Sequence, residues 1–321
     1  MNSRPLNNAT APLTVLNREE VTEISRDFGF YACGIVPLRA VDATTADHYR
    51  RWLREGRNAG MTYMANYEDK RLDPRLLMPE ARTMLCLAMS YAPDSSHALS
   101  PDGYEFAAYA LGKDYHDVVK RRLDALAVRL GLTVYRTFCD TAPILERYWA
   151  QQAGIGWIGR NRQLIIPGAG SMFFLGEILT DAEADRYDKP MESHCGACGK
   201  CIEACPTKAL GEDFDARLCL SYQTIENRGD IPPELACKLG AGIYGCDRCQ
   251  KACPYNRHTQ PTPIEEFRPS PVMCAMTRDD WHNLTLEQYR AIFKGSAVKR
   301  AKYEGLMRNI FKYGKVAVEH P

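Results

Sequence analysis

The residues best suited to chemistry in this sequence are cysteines, and nine of the 13 fall between positions 195 and 253. Four of them follow the pattern C-x2-C-x2-C-x3-C-P, namely Cys195, Cys198, Cys201 and Cys205. Thiolates at these intervals hold the iron atoms of 4Fe-4S clusters in bacterial ferredoxins. The spacing therefore predicts iron-sulfur chemistry in this part of the chain.

A second run of cysteines, in GCDRCQKACPYN, is one ligand short, because Ile243 stands where a further cysteine would be expected. In two-cluster ferredoxins the last cysteine of a run binds the other cluster. This crossed arrangement predicts one cluster on Cys195, Cys198, Cys201 and Cys253, and a second on Cys205, Cys246, Cys249 and one further cysteine. Spacing alone allows either Cys219 or Cys237 as that last ligand.

A pair of zinc sites is the alternative interpretation, because zinc is also held by four cysteines. Zinc ribbons, however, join C-x2-C units over longer gaps than those of the first run. The ferredoxin interpretation is therefore the better one.

The composition is that of an ordinary globular protein, with 321 residues, 45% hydrophobic and 25% charged, and a formal net charge of +1. This composition excludes intrinsic disorder. The low net charge excludes a protein that binds nucleic acid over a uniformly basic surface, so any nucleic-acid contact must use a local patch of positive charge. The N-terminal segment lacks the apolar core of a signal peptide, and no apolar run reaches the roughly 18 residues of a membrane span. We predict a cytoplasmic protein without membrane association, whose thiols are reduced and free to bind metal.

The order of the predicted elements indicates a mixed α/β domain over residues 1–180. In chain order these elements are helix 18–29, strand 30–37, helix 44–55, strand 82–92, helix 113–131, strand 132–138, helix 142–154 and short glycine-separated strands up to 181. Residues 181–260 form the predicted ferredoxin-like domain, which opens with a polar linker over 181–194. Residues 261–321 form a basic tail with helical patterns at 277–293 and 296–314.

The α/β domain should carry the reaction that the clusters serve, but no simple motif identifies its cofactor. GIGWIGR at 154–160 follows a predicted helix rather than a strand, which argues against a dinucleotide site. DYHDVV at 114–119 lacks the glycine of D-x-H-x-x-G, a motif that supplies a histidine to cobalamin.

Eight segments, in unbroken order from about residue 70 to residue 309, resemble the epoxyqueuosine reductase family. They are KRLDPRLLMPEA (70–81), ALGKDYHDVVKRRL (110–123), DTAPILERYWAQQAGIGWIGRN (140–161), GSMFFLGEILTD (170–181), the first cysteine run, CLSYQTIE (219–226), YGCDRCQKACPYN (244–256) and GSAVKRAKYEGLMRN (295–309). The resemblance implies an oxidoreductase with cobalamin and two 4Fe-4S clusters that reduces epoxyqueuosine to queuosine in tRNA. It also implies a cobalamin-binding mixed sheet and an external electron donor of the ferredoxin or flavodoxin kind, and we expect a monomer.

The matching segments imply roles for individual residues. Cys219, in CLSYQTIE, fits the remaining ligand of the second cluster, and Asp140, in DTAP, fits the catalytic proton donor. Arg71, Asp140, Ser221 and Asp247 fall where the family approaches cobalamin. An acid that works at neutral pH needs a pKa raised above the ordinary value for aspartate of about 3.9.

These residues also have ordinary structural interpretations. Asp140 could be the N-cap of the helix predicted at 142–154, since aspartate is a favoured capping residue. Arg71 could be paired with Asp73 on the surface. For His116, a hydrogen-bonded structural role is the expectation.

The tail is expected to contact tRNA phosphates through local positive charge, with a solvated helix face as the alternative. Between positions 294 and 315 its basic residues are Lys294, Lys299, Arg300, Lys302, Arg308, Lys312 and Lys315, against the single acid Glu304. Longer family members continue into C-terminal helical repeats that help to hold tRNA, which this sequence lacks. A cobalamin-dependent reductive dehalogenase and a non-catalytic electron carrier are the competing functions.

Overall fold

The computed structural model describes residues 14–319, with side chains for all of them except 95 and 312–319. The strands are β1 (Val15–Leu16), β2 (Ala32–Pro37), β3 (Thr83–Ser90), β4 (Glu105–Phe106), β5 (Tyr135–Phe138), β6 (Trp157–Ile158), β7 (Leu164–Ile165), β8 (Phe173–Thr180), β9 (Glu183–Ala184) and β10 (Gly242–Tyr244). The α-helices are α1 (Arg18–Asp27), α2 (Ala43–Arg54), α3 (Glu68–Leu72), α4 (Tyr115–Arg129), α5 (Glu146–Gln152), α6 (Lys200–Glu203), α7 (Leu220–Ile225), α8 (Pro233–Ala236), α9 (Arg248–Lys251), α10 (Pro271–Ala275), α11 (Arg278–His282), α12 (Leu286–Ile292) and α13 (Lys302–Glu319).

Four of the strands form a sheet in the order β2-β3-β8-β5, in which every neighbouring pair is antiparallel. Two short parallel pairs, β1 with β9 and β4 with β10, complete the mixed pairing that the sequence predicts. The strands and helices predicted over residues 18–154 are present, although helix 142–154 is shorter than expected and begins at Glu146.

Both faces of the sheet are covered, which explains why β3 is buried at every position from Thr83 to Met89. One face, with Leu85 and Ile178, belongs to a core shared with α1 and α4. The opposite face belongs to a core shared with α2 and α5. At Gly34, on β2, an added Cβ would lie 2.0 Å from the carbonyl oxygen of Ala153, so glycine is required where the end of α5 meets the sheet.

The segment 181–194 is not the free linker that its polar composition predicts. Its strand β9 pairs with β1, and Asp188 binds back to the first part of the chain. The Asp188 carboxylate lies 2.7 Å from Nε of Arg18 and accepts the N–H of Ile35 at 2.8 Å. Although this segment contains a proline and many charged residues, polar contacts hold it against the first part of the chain. Hydrophobic periodicity does not detect contacts of this kind.

The cysteine-rich region is joined to the α/β region by chain pairing. Its short helices α6 to α9 contain few turns, and its strand β10 pairs with β4 from the first part of the chain. Phe106 of β4 and Ile243 and Tyr244 of β10 enter a core that also contains Trp281 and Phe293 of the tail. The tail thus packs on the junction between the two regions.

The helical pattern predicted at 277–293 is divided into two helices, α11 and α12. Each begins with a capping box, formed by Thr277 with Asp280 and by Thr285 with Gln288. The first of these helices ends at His282 with Asn283 as its C-cap, and Thr285, with the extended backbone of an N-cap, starts the next. Within residues 14–319, no helix has the length and apolarity that crossing a membrane would need.

Candidate active site

Four of the predicted cluster cysteines surround a single cavity. Cys195, Cys198, Cys201 and Cys253 line it, together with Arg160 and Tyr255 among others. Two elements that are distant in sequence, the α6 segment and the loop after α9, meet here through contacts between α6 and α9. The structure therefore brings together the set of cysteines that the crossed spacing assigns to the first cluster.

The cysteines predicted for the second cluster are also neighbours. Burial, and then the nearby thiols of Cys246 and Cys219, raise the pKa of Cys249 to about 12. Cys205 acts in the same direction on the pKa values of Cys219 and Cys246. Cys237, by contrast, is exposed, and its thiol donates to the carbonyl of Glu234 at 3.4 Å.

Asp140 lies in a turn directly after β5, where its backbone has the left-handed φ of 59°. It is not the helix cap that its DTAP context allows, because α5 begins at Glu146 and its N-cap is Leu145. The Asp140 side chain is 56% exposed although protein atoms lie close on several sides. Its carboxylate is therefore partly open to solvent.

The N-terminus of α4 supplies the hydrogen-bond partners of Asp140. The hydroxyl of Tyr115 donates to its Oδ2 at 2.6 Å, and Nε2 of His116 lies 3.1 Å from the same oxygen. Nδ1 of His116 faces Asp114, the N-cap of α4, at 2.6 Å. A histidine between two carboxylates can donate from both nitrogens only as the imidazolium ion.

The proton in this group is favoured on His116 rather than on Asp140. Burial lowers the pKa of His116, but the hydrogen bonds with Asp114 and Asp140 outweigh it and raise that pKa to about 9. Burial likewise opposes ionisation of Asp140, yet the hydrogen bonds from His116 and Tyr115 hold its pKa below the usual value. The pKa of Asp140 is therefore lowered and not raised as expected. His116 is hydrogen-bonded at both ring nitrogens, in line with the expectation for it.

Arg71 is buried, and it does not make the surface pairing with Asp73 that is its alternative interpretation. Asp73 pairs with Arg75 at 2.7 Å, while Arg71 is buried and donates to the carbonyl of Tyr63 at 3.3 Å. Its Nε has no hydrogen-bond partner among the described residues. Tyr63 is near both groups, because its pKa responds to Arg71 and to Asp140.

Ser221 and Asp247 lie on the cysteine-rich side. Ser221 is on α7, next to Tyr222, whose hydroxyl accepts the N–H of Gly60 at 2.9 Å and so fixes the loop that carries Tyr63. The carboxylate of Asp247 accepts the N–H of Ala108 at 2.6 Å and the side-chain amide of Gln250 at 3.2 Å. Asp247 therefore holds the two regions together whether or not it also contacts a cofactor.

The basic tail is less free than its composition suggests. Arg300 forms a two-bond ion pair with Glu226, with both distances 2.8 Å. Arg308 donates to the backbone carbonyls of Gln223 in α7 and of Asn227 in the loop after it. Lys294, Lys299 and Lys302 are exposed, whereas the side chains of residues 312 and 315 lie outside the described ones.

Comparisons with known proteins agree with this architecture. A family described as the 4Fe-4S double cluster binding domain matches residues 194–256, and the family described as epoxyqueuosine reductase QueG, DUF1730 matches residues 71–141. The epoxyqueuosine reductase of Cellulophaga algicola is 40% identical over 88% of this chain and 93% of its own length. That of Pseudomonas aeruginosa is 36% identical over 97% and 88%, respectively.

Solved structures give the same result. A crystal structure of epoxyqueuosine reductase with an epoxyqueuosine-modified tRNA-Tyr stem loop superposes with a TM-score of 0.83 at 27% identity, over 92% of this chain and 80% of that one. The fold and the grouped cysteines define an iron-sulfur oxidoreductase with a mixed α/β domain. The chain belongs to the epoxyqueuosine reductase family.

Sequence reasoning did not identify Tyr115, Glu146 or Tyr63 as site residues, and it assigned His116 a structural role. The available signal was the segment KDYH at the start of a predicted helix, because helix N-termini beside a sheet often face the ends of strands. Which strand end they face depends on strand order, which the sequence pattern does not encode.

The position of the last cluster ligand can be tested by iron content. We expect Cys237→Ser to retain about eight irons per chain, the number in two 4Fe-4S clusters. Cys219→Ser should lose or degrade one cluster, because its thiol lies among Cys205, Cys246 and Cys249. Iron and sulfide are to be measured on anaerobically purified protein. Equal iron loss in both variants, or loss only in Cys237→Ser, would contradict the assignment.

Proposed function

We propose that this chain reduces epoxyqueuosine to queuosine in tRNA, with electrons passed through two 4Fe-4S clusters to cobalamin and a proton delivered by Asp140. The observation that carries the proposal is the hydrogen-bonded group of Asp114, His116 and Asp140, together with Tyr63, which is close to both Asp140 and the buried Arg71. The relatives named above support the substrate, since they are epoxyqueuosine reductases.

The donor sets fit two clusters. Cys195, Cys198, Cys201 and Cys253 would hold one, and Cys205, Cys219, Cys246 and Cys249 would hold the other. Each thiol must be ionised to bind iron, and the positive charge of the metal offsets the burial that raises thiol pKa values here. Trp157 also donates its indole N–H to Sγ of Cys195 at 3.4 Å, a contact that stabilises the ionised sulfur.

Arg71 offers a hydrogen-bond donor to a bound cofactor. The unpartnered Nε of buried Arg71 is a donor that needs an acceptor from a bound molecule, since buried polar groups are normally hydrogen-bonded. Arg71, Asp140 and Ser221 would contact cobalamin, and Asp247 would support the same wall through Ala108. When bound and reduced, cobalamin supplies the electrons for the reaction.

The reaction needs protons as well as electrons. Converting the epoxide to an alkene breaks two C–O bonds and releases the oxygen as water, which consumes two electrons and two protons. Asp140 is ionised at rest, so it would relay the proton of the His116 imidazolium to the leaving oxygen through their 3.1 Å contact, and the second proton would come from solvent. Tyr115 holds the carboxylate in place with its 2.6 Å hydrogen bond. The low pKa of Asp140 is thus compensated by a neighbour that carries the proton.

The tRNA would be held partly by the exposed lysines of the tail. Lys294, Lys299 and Lys302 make no ion pair among the described residues, so their charges are available to phosphates. Arg300 and Arg308 have protein partners and would keep the tail in place. An external electron donor of the ferredoxin or flavodoxin kind completes the cycle.

The role of Asp140 can be tested with Asp140→Asn, which keeps the side-chain shape but has no carboxylic proton. The variant should fold, carry both clusters and bind tRNA, while turnover of epoxyqueuosine falls by about 10² to 10⁴-fold, the usual contribution of general acid catalysis. Asp27→Asn, at the exposed end of α1, is the matched control and should behave like the wild type. Near-normal turnover in Asp140→Asn would show that the acid is another group.

The role of the tail lysines can be tested through the salt dependence of tRNA binding. Replacing Lys294, Lys299 and Lys302 together by alanine should weaken binding and reduce the slope of log K against log salt by about one unit per lysine. The triple Lys→Arg variant keeps the charges and should keep the slope. An unchanged slope in the alanine variant would place the tRNA on another surface.

A further inference from the structure

A carboxyl side chain lies at the centre of the sheet, under the turn that carries Asp140. Glu177, on β8, is 0% exposed, and neither of its carboxyl oxygens has a hydrogen-bond partner among the described residues. Taking an ionised carboxylate out of water without a partner is strongly unfavourable. Glu177 is therefore expected to hold a proton, and its O–H needs an acceptor.

The strand register defines which group lies above Glu177. Gly34 of β2 is opposite Cys86 of β3, Cys86 is opposite Glu177 of β8, and Glu177 is opposite Phe138 of β5. These four residues form one row straight across the sheet. Because Cys86 and Phe138 belong to the core that contains α5, the side chain of Glu177 points to the same face.

Helix α5 runs across this row. Ala153, just after its last turn, lies against Gly34, and the helix contacts β2, β3 and β8. From Ala153 back to Glu146 the helix rises about 10.5 Å, at about 1.5 Å per residue. Two strand spacings are about 9.6 Å. Glu146 therefore lies above β8, at the position of Glu177.

Glu146 connects this pair to the catalytic turn. Its Oε1 accepts the backbone N–H of Asp140, the residue with left-handed φ. Burial, followed by the nearby Asp140, raises the pKa of Glu146, while Arg147 and His116 act in the opposite direction. Burial, followed by Glu146 and Asp140, raises the pKa of Glu177 well above its usual range. Two ionised carboxylates here would repel each other and Asp140.

We propose that Glu146 and Glu177 form an acid pair that shares one proton and positions the Asp140 turn. Glu177 donates its O–H to the Glu146 carboxylate, which in turn accepts the N–H of Asp140. Neither residue touches the substrate, so both are positioning residues. The left-handed conformation of Asp140 is unfavourable for a residue with a side chain, and a fixed acceptor for its N–H stabilises it. The proposal rests on the proposed function, since it takes Asp140 as the proton donor.

The shared proton can be tested by infrared spectroscopy, independently of turnover. The wild-type protein at neutral pH should show the C=O band of a protonated carboxylic acid that exchanges slowly with deuterated water. The band should be absent in Glu177→Gln and present in Asp140→Asn. A band that persists unchanged in Glu177→Gln, or that is absent from the wild type, would overturn the proposal. The result stands even if the substrate proves to be different.

The positioning role can be tested by a pair of substitutions. Glu177→Leu removes the donor to Glu146 and should lower kcat by about 10²-fold, the effect of misplacing a catalytic group by about 1 Å, with KM for tRNA unchanged. Glu177→Gln should restore kcat, because its amide N–H can donate to Glu146. Thr180 lies on the same strand as Glu177, and its hydroxyl donates to the carbonyl of Val134 at 2.9 Å in a partly buried hydrogen bond. Thr180→Val removes this bond, so it is the control for stability loss alone and should keep kcat.

Two outcomes would contradict the role. Equal kcat in the Leu variant and the wild type would show that the pair does not position Asp140. Equal loss in the Leu and Gln variants, in proportion to their loss of thermal stability, would show that Glu177 only supports the fold.

Discussion

The contact between Asp140 and His116 is the interaction on which the active site depends. It joins a turn at the end of an edge strand to the first turn of a helix that packs against the neighbouring strand β8. An isolated aspartate is ionised at neutral pH, so in the proposed reaction Asp140 needs a neighbour that carries a proton. In that proposal the two residues offer the substrate a carboxylate with a proton one hydrogen bond away. The second carboxylate, on Asp114, keeps that proton on the imidazole.

The segment 105–116, which includes His116, also determines where the cysteine-rich region lies relative to His116 and Asp140. Strand β4 pairs with β10 of the cysteine-rich region, and Asp247 binds the N–H of Ala108 a few residues later. The chain then reaches Asp114, whose own N–H donates to the carbonyl of Gly295 in the tail at 2.7 Å. Cluster region, tail and acid group are therefore fixed to one short segment, 105–116. This arrangement fixes the position of the proposed electron route relative to the proposed proton donors.

The parts of this structure that depend on local sequence could be predicted, and the parts that depend on strand order could not. The grouping of the cysteines follows from the spacing within each run and the crossed arrangement of two-cluster ferredoxins, although the two runs are far apart along the chain. The meeting of Asp140 with His116 depends on the position of β5 at the edge of the sheet, beside β8. Glu177 appeared as one polar residue in an apolar strand, and only the register places it under Glu146. Arg300 appeared to be free because Glu226, its partner, lies in a different predicted domain.

The most direct test of the account is the pH dependence of a single turnover by the pre-reduced holoenzyme, from about pH 5 to about pH 10. The pKa of His116 is raised to about 9, so the imidazole keeps its proton below that pH and the rate should stay high through neutral pH. It should then fall as the pH rises through about 9, and this fall should disappear in His116→Gln. A rate that already declines about tenfold per unit above the ordinary aspartate pKa of about 3.9, with the same profile in His116→Gln, would contradict the claim that His116 supplies the proton of Asp140.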